Sequence, residues 1–316
     1  MRIFRHFDGL PVDVRGAAVA IGNFDGVHRG HQAVIGEAGR IAAAAGVPWA
    51  VLTFEPHPRS IFVPETEPFR LTPFRNKARH IEALGVDVLV VLHFDDRFSK
   101  QPANEFVTDI LVDALGAHHV VSGYDFVFGH GRQGNAELLV QMGSEYDFGF
   151  TCVQALGDDA EAVYSSTRIR ERLDGGDPGA AAEILGRPFE IEARIEEGDQ
   201  RGRTIGFPTA NLALGEFMRP ALGVYAVRAR LDDQGPWIDG VANLGRRPTF
   251  AGEDVLLEVH LFDFDRNIYG ARMRVTLLDY LRPEKKFDGL EDLKAQIAAD
   301  GERARQFLAA VPAADD

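Results

Sequence analysis

Cysteine is almost missing from this sequence: Cys152 is the only one in 316 residues, which excludes an internal disulfide and a thiolate metal cluster. It lies in the apolar run from Phe150 to Leu156, so a small buried hydrophobe is its expected role. Long hydrophobic runs are missing as well. Stretches such as Val88–Leu92 are far too short to span a bilayer, and the start, MRIFRHFDGLPVDVR, holds no apolar signal core. A cytoplasmic protein with no membrane partner is therefore expected. Positive charge is in deficit, with 34 Lys and Arg against 48 Asp and Glu and a formal net charge of −14. No basic run offers a counterion-releasing surface, so nucleic acid is not expected as a partner. A polyanion as small as ATP can still be drawn in locally, by helix N-termini, a few Arg or Lys and a divalent metal. Internal repeats and low-complexity tracts are also absent.

What is present is the composition of an enzyme-sized globular protein, with 45% apolar and 26% charged residues. The length exceeds what one core usually supports, so two domains are expected. Up to about Arg172, apolar runs at Ala18–Ile21, Ala50–Phe54, Val86–Phe94, His119–Ser122 and Phe150–Ala155 alternate with helical spacing at His31–Ala45, Asn76–Leu84, Pro102–Leu115 and Asn135–Met142. That alternation predicts an α/β domain built on a parallel sheet. Turn formers gather at Asp174–Pro178, and beyond Gly186 strand-like runs follow one another: Phe189–Ile195, Val224–Leu231, Val255–Phe262 and Met273–Leu278. A closed antiparallel barrel or a sandwich is predicted there. The stripe Leu290, Leu293, Ile297, Ala304 and Leu308 predicts a last helix covering an edge or mouth of it. The expected domains are 1–185 and 186–316.

Directly after the first of these strands stands Gly22-Asn-Phe-Asp-Gly-Val-His-Arg-Gly-His31, running into a helix. Two histidines three apart at a helix start can both face a phosphate, Gly30 admits close approach, and the free helix amides add donors. A zinc site on His28 and His31 lacks a third ligand at a recognisable spacing. Later, Ser165-Ser-Thr-Arg-Ile-Arg170 opens another helix with three hydroxyls and two cations, suited to the outer phosphates of a nucleotide. One competing motif is Gly129-His-Gly-Arg-Gln-Gly134, which satisfies G-x-G-x-x-G and has Asp158 and Asp159 downstream for a ribose. A lone match of that form carries little weight, so a dinucleotide-dependent dehydrogenase is not the expected reading.

The first two pieces together resemble the HxGH nucleotidylyltransferase superfamily, whose second signature reads ISSTxxR. His28, Gly30, His31, Ser165, Ser166, Thr167 and Arg170 match, with Tyr164 in place of the usual aliphatic residue. Gly22–His31, Thr53-Phe-Glu-Pro-His-Pro58, Phe94–Ser99 and Gly123-Tyr-Asp-Phe-Val-Phe-Gly129 are similar to the FMN adenylyltransferase module of bacterial FAD synthetases. The resemblance implies a Rossmann-like domain. It also implies nucleotide or flavin contacts from Gly22, Phe24, Asp25, Gly30, Pro56, His57, Pro58, Asp125, Ser165, Ser166, Thr167, Arg168 and Arg170, with catalysis by His28 and His31.

In the second half, Gly202-Arg-Thr-Ile-Gly-Phe-Pro-Thr-Ala-Asn-Leu212 offers a glycine loop for phosphate, with Thr209 and Asn211 as hard oxygen donors for Mg²⁺; a surface hairpin fits the same residues. Glu258, within Leu256-Leu-Glu-Val-His-Leu-Phe262, is either an edge carboxylate or a general base. These stretches, with Gly223-Val-Tyr225, Asn243–Thr249, Ile268-Tyr-Gly270 and Leu281-Arg-Pro-Glu-Lys-Lys-Phe287, resemble riboflavin kinase, although Glu196-Glu-Gly198 departs from a commoner pattern with a His before the Gly. The resemblance implies a six-stranded antiparallel barrel with a terminal helix. It also implies nucleotide contacts from Gly202, Arg203, Gly206, Pro208, Thr209 and Asn211, Thr209 and Asn211 on the metal, and Glu258 as base. The expected function is bifunctional: riboflavin is phosphorylated to FMN with ATP, then adenylylated to FAD with release of pyrophosphate. A flavin-binding regulator without turnover is the rival, against which the intact His pair and Glu258 argue.

Overall fold

The computed structural model describes residues 1–63, 67–158, 162–197, 207–232, 234–249 and 252–312. The chain divides into two compact units, one of Met1–Glu67 with Thr72–Ser165 and one of Pro68–Leu71 with Ser166–Asp316.

The first unit is a six-stranded sheet in the order β1-β4-β3-β2-β5-β6. The strands are β1 (Arg2–Phe4), β2 (Ala18–Ile21), β3 (Trp49–Glu55), β4 (Val88–His93), β5 (His119–Gly123) and β6 (Gly149–Val153), and every pairing is parallel. The central strands are apolar on both faces, β2 being buried throughout, because helices cover both sides. On one face α1 (Arg29–Ala45) sets Val34, Ile35 and Ala38 into a core with Val51, Leu89 and Val121. On the other, Phe106, Val107, Ile110 and Leu111 pack with Val19, Leu52 and Val90. The sequence predicts an ordinary helix over Pro102–Leu115. The chain instead runs from α4 (Ala103–Glu105) into a π-helix over Phe106–Ala114. Between α1 and α4 lie α2 (Pro58–Phe62) and α3 (Phe74–Glu82), and α5 (Ala136–Tyr146) precedes β6. Cys152 is half-buried, not fully buried as expected, because β6 is an edge strand whose residues are all partly exposed.

Two helices open the described part of the second unit that follows Ser165, α6 (Ser166–Asp174) and α7 (Pro178–Leu185). The second escapes the sequence pattern: Asp174–Pro178 reads as turn, but only Gly175 and Gly176 form one, and Asp177 caps α7 by accepting from the Ala180 amide at 3.0 Å. A closed barrel in the order β10-β11-β8-β7-β12-β9 follows. Its strands are β7 (Phe189–Glu196), β8 (Ala210–Ala213), β9 (Gly223–Leu231), β10 (Gln234–Thr249), β11 (Gly252–Leu261) and β12 (Arg272–Pro283). All pairs are antiparallel. The terminal helix α8 (Leu290–Ala310) buries Ala304 and Leu308 against Val224, Ala226 and Leu281. Tyr225 and Tyr280 brace the start of β9, donating to the carbonyls of Ala221 at 2.5 Å and Leu222 at 2.9 Å. Burial raises both phenols above their ordinary titration range.

Candidate functional sites

Strand order places the first site. β3 and β4 lie to one side of β2, while β5 and β6 lie to the other. The carboxyl ends of β2 and β5 therefore flank a topological switch point, where open α/β sheets bind ligands. The loop from Gly22 to His28 leaves β2 at that edge and is tightly wound. Phe24 (φ 49°), Gly26 (φ 93°) and Val27 (φ 43°) all take left-handed backbone, a costly state for a β-branched residue such as Val27 and one that surrounding contacts must enforce.

Those contacts are visible. Asp25, 2% exposed, accepts from the Thr72 amide at 3.0 Å and its hydroxyl at 3.3 Å, while the Gly26 amide donates to the Thr72 oxygen at 2.8 Å. Lys77, fully buried on α3, donates to the Asn23 carbonyl at 3.1 Å and pairs with Glu55 at 2.7 Å. Lys77 escapes sequence reasoning; its signal is a Lys one helical turn before Ile81 on the buried face of α3.

The loop delivers His28 to the N-cap of α1, where its Nδ1 accepts from the His31 amide at 3.3 Å, which leaves Nε2 to carry the proton of a neutral ring. The two imidazoles stack with centroids 3.6 Å apart, and Phe24 meets His31 edge-on at 5.4 Å. Any side chain at Gly30 would press on the His28 ring at 3.1 Å and on the Tyr164 carbonyl at 3.4 Å. The residue preceding Ser165 is thus against the histidine loop. Gly22 leaves room for the Phe24 ring, 2.9 Å from where a Cβ would stand.

Pro56, His57 and Pro58 follow β3 at the same sheet edge, His57 capping α2 by accepting from the Arg59 amide at 3.1 Å. Asp125 is exposed in the turn after β5. Ser166, Thr167, Arg168 and Arg170 occupy the first turns of α6, with Arg170 donating to the Phe69 carbonyl at 2.8 Å. The G-x-G-x-x-G stretch does not follow a strand directly. β5 ends at Gly123, and a turn and an isolated bridge between Phe128 and Gly134 intervene before α5, so it lacks the strand-to-helix geometry of a dinucleotide fingerprint. Asp159 lies outside the described residues.

The second site is a cavity of about 520 Å³ in the barrel unit, a size suited to a small organic ligand. Thr209, Asn211, Asn243, Glu258 and His260 line it, with Arg246, Arg282, Glu284 and Lys285, and apolar walls from Val224, Val241, Phe287, Leu293 and Ile297. Asn211 lies on β8, not in a surface hairpin, and pairs directly with Glu258 of β11; Asn243 of β10 pairs with Glu258 from the other side. Glu258 is exposed to the cavity and bracketed by two amides. Arg282 is fixed by a forked bond to Asp300 of α8, at 2.6 to 3.0 Å. Gly202, Arg203 and Gly206 lie outside the described residues; Pro208 and Thr209 immediately precede β8. A hydroxyl, an amide oxygen and a carboxylate in one cavity form a hard-oxygen donor set that fits Mg²⁺ held partly by substrate phosphates. Among the described residues no group of three His, Cys, Asp or Glu side chains is placed to hold a metal alone.

Two family models match the chain. Residues 11–168 match the FAD synthetase family and residues 185–308 the riboflavin kinase family. The bifunctional riboflavin kinase/FMN adenylyltransferase of Haemophilus influenzae is 42% identical over 98% of this chain and 99% of its own length. That of Escherichia coli K12 is 42% identical over 93% of each chain. A solved Streptococcus pneumoniae structure, described as a macrolide-efflux protein, superposes with a TM-score of 0.83 at 32% identity, covering 96% of this chain and 98% of that one. Efflux is said of that protein; among the described residues here, no helix is long and apolar enough to cross a membrane. With both modules matched and nearly the whole length shared, the chain belongs to the bifunctional riboflavin kinase/FMN adenylyltransferase family, the FAD synthetases.

Proposed function

We propose that this chain makes both flavin cofactors, with residues 186–316 phosphorylating riboflavin to FMN and residues 1–185 adenylylating FMN to FAD, each step consuming ATP, in the cytoplasm. The observation that carries the reading is the placement of Glu258, flanked across the ladder by Asn211 and Asn243, in a barrel cavity that Thr209 also lines.

In the kinase step the ribityl 5′-hydroxyl attacks the γ-phosphorus of ATP. Glu258 accepts the hydroxyl proton, and ADP departs. Asn211 and Asn243 hold the carboxylate in register, and the apolar wall of Val224, Leu293 and Ile297 receives the flavin ring. Mg²⁺ held by Thr209 and Asn211 would neutralise charge on the phosphate oxygens. In the adenylyl step an FMN phosphate oxygen attacks the α-phosphorus of a second ATP, and pyrophosphate leaves. His28 and His31, with the amides opening α1, donate hydrogen bonds to charge gathering on the α-phosphate. The hydroxyls and guanidinium groups of Ser165, Ser166, Thr167, Arg168 and Arg170 bind the outer phosphates. Gly22, Phe24, Asp25, Gly30, Pro56, His57, Pro58 and Asp125 shape the nucleotide and flavin pocket.

The test incubates purified protein with riboflavin, ATP and Mg²⁺ and resolves the flavins by chromatography. Glu258→Gln is expected to slow FMN formation by roughly 10²–10⁴-fold, the usual contribution of a general base, while FAD still forms from added FMN. His28→Asn reverses the pattern. Formation of neither product by the unaltered chain would leave a flavin-binding protein without turnover.

A further inference from the structure

His260 sits two residues beyond Glu258 on β11, so both side chains lie on one face of the strand, and both line the barrel cavity. The β8–β11 register pairs Glu258 with Asn211 and Val259 with Ala210, which brings His260 alongside the chain where it enters β8. There its Nδ1 stands 2.9 Å from the carbonyl oxygen of Pro208. A carbonyl only accepts, so Nδ1 carries the proton and donates. The ring is also held edgewise, by Phe207 at 5.7 Å and Phe262 at 6.0 Å. Phe262 is anchored in turn: it is 7% exposed in the core cluster under α8, with the Arg305 guanidinium 4.1 Å above its ring.

We infer that His260 is a positioning residue for the kinase step: by donating from Nδ1 to Pro208 it latches the segment Phe207–Thr209 to β11 and fixes the Thr209 hydroxyl relative to Asn211 and Glu258. The need for such a latch follows from the ladder. β8 has only four residues, and its pairing with β11 ends at Ala210, so Pro208, lacking an amide hydrogen, and Thr209 stand beyond the last ladder pair. A side-chain bond from the neighbouring strand supplies the hold that the ladder does not. The inference rests on the proposed role of Thr209 and Asn211 in binding Mg-ATP.

The test uses the full chain and three substitutions that separate the bond from the bulk. Asn places its amide nitrogen where Nδ1 stood; Gln places it where Nε2 stood; Phe keeps the aromatic packing and donates nothing. His260→Asn is expected to behave as the unaltered protein. His260→Gln and His260→Phe are expected to speed backbone hydrogen exchange in the peptide covering 207–213, and to raise the kinase KM for Mg-ATP roughly three- to tenfold, the range one neutral hydrogen bond supplies. Their kinase kcat changes less than KM, and FAD formation from added FMN does not change. Unaltered exchange in His260→Phe, or His260→Asn as impaired as His260→Phe, overturns the inference. Failure of the wider reading is seen elsewhere: if Glu258→Gln still phosphorylates riboflavin, the assignment of the base falls, while the exchange measurement continues to report on the latch.

Discussion

At the scale of single residues, the buried charge at Lys77 has the largest consequence outside the reacting groups. Its ammonium is fully buried and paired with Glu55, which is itself only 17% exposed, and it holds the Asn23 carbonyl at the root of the histidine loop. Replacing one partner of a buried pair strips the other of a close counter-charge. Lys77→Met is therefore expected to destabilise the first unit by about 3 kcal/mol, at the low end for such pairs because Glu55 retains some water. The same change frees the loop that must hold Phe24 and Val27 at positive φ, so FAD formation from FMN falls at temperatures where the unit remains folded. Urea unfolding followed by Trp49 fluorescence reads the first effect, and the FMN-to-FAD rate reads the second. An unchanged rate at full folding would show that the loop does not depend on the Asn23 contact.

Elements show where tertiary contacts decide what local pattern cannot. Helix α8 ends on Arg228 of β9, whose guanidinium donates to the carbonyls of Leu308 at 3.0 Å, Val311 at 2.8 Å and Pro312, while its Nε bonds Asp239 at 2.9 Å. One planar fork thus satisfies several orphan carbonyls at a helix C-terminus. Arg228→Met is expected to cost about 2–4 kcal/mol, since the carbonyls and Asp239 lose a charged partner together, with Arg228→Lys recovering only part. Because Leu293 and Ile297 of α8 line the cavity, the riboflavin KM rises with it. Hydrogen exchange across 290–310 measures the first effect and steady-state kinetics the second.

The same helix shows how legible such elements are. Its span and its buried Ala304 and Leu308 follow from the spacing, but Leu290 is 53% exposed and Asp300 is buried, because Arg282 draws the carboxylate inward. Strand β10 leaves no readable pattern in the sequence. Gly235, Pro236, Gly240 and Pro248 interrupt it, and two of the interruptions have a tertiary reason: a register irregularity lies between Gln234 and Ile238, and a side chain at Gly240 would meet the His260 carbonyl at 2.6 Å. By contrast the positions of the histidine loop after β2 and of Glu258 on a strand follow from short contiguous motifs. Lys77, Asn243 and His260 are not, since each acts only through a partner distant in sequence.

For the molecule as a whole, the central fact is that each unit carries its own core, with the histidine loop in the first and Glu258 in the second. The formal charge of −14 adds a long-range field that repels FMN and ATP alike, so local donors rather than the overall potential must hold them. An intermediate carrying a phosphate is then free to leave one chain and enter another. Mixing equal amounts of the Glu258→Gln and His28→Asn variants with riboflavin, ATP and Mg²⁺ tests this. Each variant alone stops short of converting riboflavin to FAD, whereas the mixture is expected to produce it after a lag while FMN accumulates in solution, and the lag shortens as total protein rises. A mixture that makes FMN but no FAD, although the Glu258→Gln chain converts added FMN, would mean that product stays bound where it forms, so that the two steps proceed only within one chain.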